Sequence, residues 1–219
     1  MMRNPSMKSS NRGFSMLELL VGIALGTFIL LGLVSAMVGL LRGDSMAAAR
    51  LGNEVRNAAF FVERDVSRAG YQAGSAAALA TGTAAHTNPF DLLDVSTPGC
   101  IRYSYDRNSN GLLDIASPDE RYALVLSGGV LFVRVSGNLF NCDVAEGEWE
   151  PLTALTAVTV TEFAPSVAAS AVSIPNSTRK IQVRTLTYTL RGALTRSPEK
   201  TLSIVNTLAL PNDVLIEGT

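Results

Sequence analysis

The stretch Gly13-Phe14-Ser15-Met16-Leu17-Glu18-Leu19-Leu20-Val21 decides the fold of this chain, because it places one acidic residue just inside a long apolar run. Uncharged residues continue from Leu19 to Leu41, and these 23 residues would form a helix of about 34 Å. That length is sufficient to cross the hydrocarbon core of a bilayer. The sequence therefore predicts a membrane-spanning helix with a single carboxylate, Glu18, at its mouth.

The residues before this helix predict its orientation. Residues 1–12 contain Arg3, Lys8 and Arg12 and no acidic residue, so the positive-inside rule keeps this end in the cytoplasm. A cleavable secretory signal has an apolar core of about 7–15 residues followed by a small-residue cleavage site, and the run here is longer. We therefore expect an inner-membrane protein with one span and its C-terminal part in the periplasm.

A basic leader, Gly13, Phe14, a short hydroxyl and apolar stretch, Glu18 and an apolar helix follow one another in this chain. This order resembles the class III signal of type IV prepilins and type II secretion pseudopilins. The resemblance implies that residues 1–13 are a leader, and that a membrane peptidase cuts between Gly13 and Phe14 and methylates the new amine. It also implies that Glu18 meets the N-terminal amine of a neighbouring subunit during assembly. The alternative is an interfacial glutamate in an ordinary membrane anchor.

Helical periodicity continues beyond the apolar run. Small and apolar residues recur at intervals of three or four, which predicts one buried helix face, and Gly70 supplies a stop. The periodic positions are Leu51, Val55, Ala58, Val62, Val66 and Ala69. We therefore predict one helix over residues 14–69, with a transmembrane half at 14–41 and an amphipathic half at 42–70 that packs on a globular head.

The remaining residues, 71–219, read as a β-rich head. Six segments have strand character, and most neighbours are expected to pair antiparallel: Cys100 to Tyr105, Tyr122 to Leu126, Val130 to Val135, Leu152 to Phe163, Lys180 to Leu190 and Lys200 to Leu210. Ser127-Gly128-Gly129 predicts a hairpin, and a change of apolar parity predicts a bulge near Arg184-Thr185. The fold class is therefore α+β, and the resemblance implies a type IV pilin-like arrangement.

Composition and motifs argue against several classes of function. After loss of the leader, 15 basic and 19 acidic side chains remain, so no excess of positive charge points to nucleic acid. The only histidine, His86, lies in a segment of small and polar residues that predicts a loop. The sequence contains no P-loop, GxSxG, HExxH or CxxC motif. We therefore expect a protein that is not an enzyme.

The two cysteines, Cys100 and Cys142, both lie in the part of the chain expected to be exported. An oxidising compartment favours a disulfide between them. Closing a loop of about 43 residues would stabilise the fold by about 4 kcal/mol in the chain-entropy description. The alternative is two buried free thiols.

Between the cysteines, the segment from Asp106 to Asp114 follows the first nine positions of an EF-hand-type calcium loop. The predicted calcium ligands are the side chains of Asp106, Asn108, Asn110 and Asp114 and the carbonyl of Leu112. Ser117 stands where the pattern has a bidentate glutamate, so Asp119 or Glu120 would have to supply that ligand. The alternative is a turn held by asparagine and aspartate side chains without metal.

The segment Val62-Glu63-Arg64-Asp65-Val66-Ser67-Arg68-Ala69-Gly70-Tyr71 resembles the end of the long helix in PilW-type minor pilins. The DxNxNG insertion and the late strand QVRTLTYTL are also similar. The resemblance implies a low-copy, non-enzymatic subunit that helps to prime pilus assembly near the filament tip. Its implied partners are other minor pilins, the major pilin, the prepilin peptidase and the inner-membrane assembly platform. The alternatives are a J-type pseudopilin of type II secretion and a membrane-anchored periplasmic enzyme or receptor.

Overall fold

A computed structural model of the chain describes residues 15–75, 88–137, 139–175, 179–212 and 214–217. It divides into two compact units with a boundary between Met46 and Ala47. The helix α1, Met16–Val66, contributes residues to both units. The predicted leader, Gly13, Phe14 and His86 lie outside the described residues.

The part of α1 that belongs to the second unit is amphipathic, as its periodicity predicts. Leu51, Val55, Ala58, Val62 and Val66 are buried at spacings of three or four residues, and they form one face of the helix. The helix is followed by a turn over residues 67–70, in which Gly70 has a φ of 81°. A positive φ is a common way to end a helix, and glycine adopts it without a steric penalty.

The first sheet has five antiparallel strands in the order β1-β2-β3-β4-β5. The strands are β1, Leu93–Asp94; β2, Cys100–Ser104; β3, Arg121–Ser127; β4, Val130–Ser136; and β5, Glu148–Pro151. Gly128 and Gly129 join β3 to β4 with φ values of 56° and 81°. Two central residues with positive φ are typical of a type I′ hairpin, so the predicted hairpin is confirmed.

The second sheet consists of β6, Val158–Ser173; β7, Arg179–Leu194; β8, Ser197–Ala209; and β9, Val214–Glu217. The strand β7 is central, since β6 pairs along one of its edges and β8 and β9 pair along the other. The Val160 amide donates to the Gly129 carbonyl at 2.8 Å and thereby links β6 to the hairpin of the first sheet.

One core lies between the second half of α1 and both sheets. The helix face meets buried tyrosine and aliphatic side chains of the first sheet, including Tyr103 and Leu124, and of the second, including Leu190. A Cβ at Gly192 would lie 2.7 Å from Val55 Cγ2 and 3.0 Å from Val158 Cγ1. The absence of a side chain at this position of β7 therefore allows the helix to approach the second sheet.

The α+β prediction is confirmed, but several details of the strands differ. The predicted strand Leu152 to Phe163 is interrupted by a turn, because the amides of Ala157 and Val158 both donate to the Ala154 carbonyl. The strands β1, β5 and β9 were not predicted, since two to four residues are too few to show periodicity. The strands also divide between two sheets, and this division could not be predicted from the strand segments because it depends on which strands pair.

The predicted bulge near Arg184-Thr185 is wrong. Strand β7 pairs with β6 in continuous register past these residues, and the register shift of this pair lies between Val160 and Glu162. The reason is that the buried face of β7 continues through Arg184, which is only 5% exposed. Its guanidinium donates to the carbonyls of Asp91 and Asn212, so a charged residue occupies a position that the sequence rule reserves for an apolar one.

Candidate functional site

The N-terminal end of α1 carries the predicted assembly residue Glu18. Ser15 precedes the helix, and its Oγ accepts a hydrogen bond from the Leu17 amide at 3.4 Å. Glu18 lies in the first helical turn, where the helix dipole favours a negative charge. Ser15 at the N-cap and Glu18 three residues later also follow the capping-box pattern, a local role that the sequence analysis missed.

The segment that follows has the properties of a membrane span. By length and composition, Met16–Gly39 is long and apolar enough to cross a bilayer, with a mean hydropathy of 2.4 over an 18-residue window. All described side chains from Ser15 to Gly39 are exposed. The hydroxyls of Thr27 and Ser35 donate to carbonyls one turn earlier, at 2.9 and 2.8 Å, so neither requires water. Such a surface is suited to lipid or to other apolar helices.

In the second unit, the last turns of α1 bind both sheets through polar side chains. Glu63 Oε1 accepts a hydrogen bond from the Asn206 amide, and the Tyr188 hydroxyl donates to the Ala59 carbonyl at 3.0 Å. Burial raises the pKa of Tyr188 to about 12. These bonds fix the orientation of the helix on the second sheet, because both acceptors lie on α1 and the two donors lie on different strands, β7 and β8.

On the side of the first sheet, Asp65 accepts hydrogen bonds from the hydroxyls of Tyr103 and Tyr105. Burial raises the pKa of both tyrosines, and the nearby Asp65 raises them further. Arg68 Nη1 donates to the Tyr105 hydroxyl at 3.2 Å, and its guanidinium lies 4.9 Å from the ring centre. The acidic and basic residues of this helix end thus hold it against the sheet.

The turn that follows the helix is held by a distant part of the chain. Asn212 Nδ2 donates to the carbonyls of Arg68 and Ala69 at 3.2 and 3.1 Å. A Cβ at Gly70 would lie 2.7 Å from Arg184 Nη2, so the arginine and a side chain at position 70 would compete for space. The sequence indicated Gly70 as a stop but gave no sign of Asn212, which lies more than 140 residues away.

The structure joins Cys100 and Cys142 in a disulfide with a Cα separation of 6.2 Å. Cys100 is the first residue of β2, and Cys142 lies between β4 and β5. The bridge therefore fastens the segment between two strands to the sheet, and the alternative of two free thiols does not hold. The disulfide could be predicted from the oxidising compartment and from the number of cysteines, since two cysteines allow a single intramolecular bridge.

The loop from Asp106 to Asp114 is held by its own side chains. Asp106 is buried, and its Oδ2 accepts hydrogen bonds from the amides of Ala73 and Gly111 at 3.0 and 2.9 Å. Asn108 and Asn110 each accept a bond from the amide two residues later, which is typical of Asx turns. The turn interpretation of this segment therefore describes the bonds that the structure contains.

Three of the predicted calcium ligands nevertheless converge. The side-chain amides of Asn108 and Asn110 approach the same atom, Asp114 Oδ2, at 2.7 and 3.0 Å. Rotating both amide groups by 180° would bring two carbonyl oxygens to that carboxylate, where a cation would relieve the repulsion among the three oxygens. The same rotation would break the bonds that these oxygens accept from the amides of Asn110 and Leu112. Across the described residues, however, no three histidine, cysteine, aspartate or glutamate side chains are placed to hold a metal ion.

The two acidic residues proposed to complete the loop differ in their contacts. Glu120 is fully buried, and its carboxylate accepts hydrogen bonds from the amides of Arg107 and Asp114 at 2.7 and 3.0 Å. Asp119 faces away from these amides and pairs with Arg121 and Arg134 at 2.9 and 2.8 Å. Glu120, which closes the base of the loop, is thus the residue of the two that belongs to it.

Asp119 and Arg134 form an ion pair that is removed from solvent, with side-chain exposures of 1% and 0%. Burial opposes ionisation of Asp119, but hydrogen bonds from Arg121 and Arg134 outweigh it and hold the pKa below its usual value. The Arg134 guanidinium also donates to the carbonyls of Arg121 and Gly137. Sequence analysis missed this pair, because alternation in β4 favours a solvent-facing arginine.

Two known families match this sequence. The prokaryotic N-terminal methylation motif matches residues 8–34, which include Gly13, Phe14 and Glu18. The family of prepilin peptidase-dependent protein B matches residues 44–210, about three quarters of the chain. This chain belongs to the prepilin peptidase-dependent protein B family. The resemblance to type IV prepilins and pseudopilins, first drawn from nine residues, is thereby confirmed.

The family assignment joins the two parts of the molecule in one class of protein. The methylation motif covers the last six residues of the leader and most of the apolar helix, and the match to prepilin peptidase-dependent protein B covers the second half of α1 and the strands β1 to β8. No match was found among curated proteins or among solved structures. Membership of the family implies processing by a prepilin peptidase and a pilin-like or pseudopilin-like role in assembly.

Proposed function

We propose that this protein is a minor type IV pilin, a non-enzymatic subunit that helps to prime pilus assembly and lies near the filament tip. The observation that carries the proposal is the exposed apolar helix with one carboxylate in its first turn, within a methylation motif. The carboxylate supplies a charge for a neighbouring N-terminal amine, and the apolar surface supplies a membrane reservoir and then a filament core. The head is available to select neighbouring subunits.

The proposed location and partners follow from this role. The protein is first held in the inner membrane with its head in the periplasm, and it then joins an extracellular filament. Other minor pilins, the major pilin, the prepilin peptidase and the inner-membrane assembly platform are its proposed partners. The polar bonds at the end of α1 support a subunit whose head and helix end move as one body during assembly, because three different strands contribute donors or acceptors to them.

A minor pseudopilin of type II secretion is the second candidate, because the methylation motif is shared by both classes. The two roles differ in their genetic consequence. Deletion of the gene should remove surface pili and leave exoprotein secretion normal if the protein is a minor pilin. Normal piliation with a loss of exoprotein secretion would favour the pseudopilin. Hydrolase or ligand-binding activity of the protein would instead revive a membrane-anchored enzyme or receptor.

The N-terminal residue of the membrane-bound protein tests the proposal most directly. We expect mass spectrometry to identify N-methylated Phe14 in cells with the prepilin peptidase and an uncut leader in cells without it. A Gly13→Lys variant should keep its leader in both strains, because a long charged side chain replaces the small residue at the cleavage site. An intact Met1 or Met2 in both strains of the wild type would contradict the proposal.

We also propose that the loop from Asp106 to Glu120 binds calcium weakly, with a dissociation constant in the millimolar to micromolar range of extracellular sites. The convergence of Asn108 and Asn110 on Asp114 supports this proposal. The ligand set has few carboxylates, and Arg107 lies within it, so tight binding is not expected. Calcium would act there as a structural ion, with no part in any reaction.

A thermal titration tests the calcium proposal. At a calcium concentration about tenfold above the dissociation constant, the free energy of unfolding should rise by about 1.4 kcal/mol. An Asp114→Asn variant should lose this increase, because it removes the charge on which the two asparagines converge. Magnesium is the matched control, since it demands a smaller and more regular site. An unchanged melting temperature at millimolar calcium would leave the metal-free turn as the explanation of the loop.

A further inference from the structure

The solvent-facing side of α1 in the second unit is strongly basic. Opposite its buried face, the helix carries three exposed arginines, which at 3.6 residues per turn fall on one arc of about 120°, and a fourth exposed arginine lies in the turn that follows the helix. This basic face consists of Arg50, Arg56, Arg64 and Arg68. Among the described residues, no carboxylate forms an ion pair with any of them. The face therefore carries four positive charges that are not compensated by a salt bridge.

An exposed aromatic side chain lies within this basic face. Phe60 is 63% exposed, although it belongs to a helix whose opposite side forms the core. Arginine and aromatic side chains are the residues most enriched in the energetically important centres of protein interfaces. The two nearest glutamates do not neutralise the face, since Glu54 lies at its border and Glu63 bonds Asn206 on the second sheet.

A surface of opposite charge lies on the first sheet of the same molecule. Residues 135–178 contain no lysine or arginine. Within them, four exposed carboxylates cluster on the edge strand β5 and the segment before it, and this acidic edge consists of Asp143, Glu146, Glu148 and Glu150. In the part of the chain that the structure describes, none of the four pairs with a cationic side chain. Trp149 lies between two of them and is half-buried.

We propose that the basic face of α1 binds the acidic edge of a second copy of this protein. Four positive charges around an exposed phenylalanine match four negative charges around a tryptophan, and neither set has an ion-pair partner among the residues that the structure describes. Such complementarity steers association and fixes orientation more than it adds affinity.

Charge reversal in the full-length, detergent-solubilised protein tests this contact. One variant carries Arg50→Glu, Arg56→Glu and Arg64→Glu, and leaves Arg68 in place because it bonds Tyr105. A second carries Glu146→Lys, Glu148→Lys and Glu150→Lys. A control reverses the exposed charges Arg196 and Glu199, which belong to neither surface. Sedimentation measures association, and melting temperatures establish that each variant is folded.

We expect the wild type to self-associate, with an apparent dissociation constant that rises at least about tenfold between 0.05 and 0.5 M salt, because salt screens exposed charges. Each reversed variant alone should associate at least about tenfold more weakly than the wild type, and the control should match the wild type. An equimolar mixture of the two reversed variants should regain association to within about threefold of the wild-type value, since the glutamate-bearing face of one variant then meets the lysine-bearing edge of the other. Association through the apolar helices is common to all variants and cannot produce this rescue.

Three results would overturn the proposal. A mixture that associates no better than its components would show that the two surfaces do not meet. A wild type that stays monomeric at every salt concentration would assign the basic face to a different protein. Binding to phosphatidylglycerol vesicles that depends on the three arginines, without rescue in the mixture, would assign the face to a lipid surface. None of these results affects the cleavage at Gly13, so failure here is distinguishable from failure of the proposed function.

Discussion

Replacement of Asp119 by alanine is expected to lower the free energy of unfolding of the head by about 3–5 kcal/mol. The reason is that Arg134 would keep its charge at a position with 0% side-chain exposure and would lose its carboxylate partner. Two carbonyls would remain as acceptors, but they cannot neutralise the guanidinium. Urea unfolding of the wild type and the variant, followed by circular dichroism, measures the difference.

An exposed ion pair in the same molecule supplies the matched control. Arg191 and Glu162 approach to 3.3 Å, with side-chain exposures of 49% and 38%. Replacement of Glu162 by alanine should lower the free energy of unfolding by less than about 1 kcal/mol, since water solvates the remaining arginine. Equal losses for the two substitutions would mean that burial of the Asp119 pair has no energetic consequence. An Asp119→Ala, Arg134→Met double variant should recover part of the loss, because the fully buried charge of Arg134 is removed and the unpaired Arg121 is partly exposed.

Replacement of Glu18 by alanine is expected to reduce incorporation into filaments about a hundredfold while cleavage before Phe14 proceeds normally. A charge that is left without its partner in an apolar medium costs about 3 kcal/mol or more, and this amount corresponds to such a factor. The peptidase cuts the bond between Gly13 and Phe14, which does not involve the Glu18 side chain, so the leader should still be removed. Immunoblots of sheared filaments and of membranes measure incorporation and processing in the same cells.

Two further variants separate the possible roles of Glu18. Ser15→Ala removes the N-cap, which is worth about 1 kcal/mol, but leaves the carboxylate in place. Glu18→Gln keeps the side-chain length and removes the charge. If the charge serves assembly, Glu18→Gln should behave as Glu18→Ala does, and Ser15→Ala should assemble nearly as well as the wild type. Normal incorporation of Glu18→Gln would reduce Glu18 to a residue of the helix cap.

Local patterns made the membrane helix, the amphipathic half of α1 and the hairpin predictable. A run of 23 uncharged residues has few alternatives to a membrane or core helix, and two glycines between strands of alternating polarity specify a tight turn. The methylation motif, with Gly13, Phe14 and Glu18, was also readable because its residues are consecutive. The disulfide followed from having two cysteines in an exported domain.

The sequence by itself determined the helix, the hairpin, the pairing of the cysteines and the class of protein, because each depends on near neighbours or on composition. Tertiary structure decided the division into two sheets, the buried Asp119–Arg134 pair and the bonds from Asn212 to the turn after α1. It also decided that Arg184 continues the buried face of β7, where alternation predicted a bulge. These features join residues 15 to more than 140 positions apart, and a polar group is stable in a core only when the fold brings its partners to it.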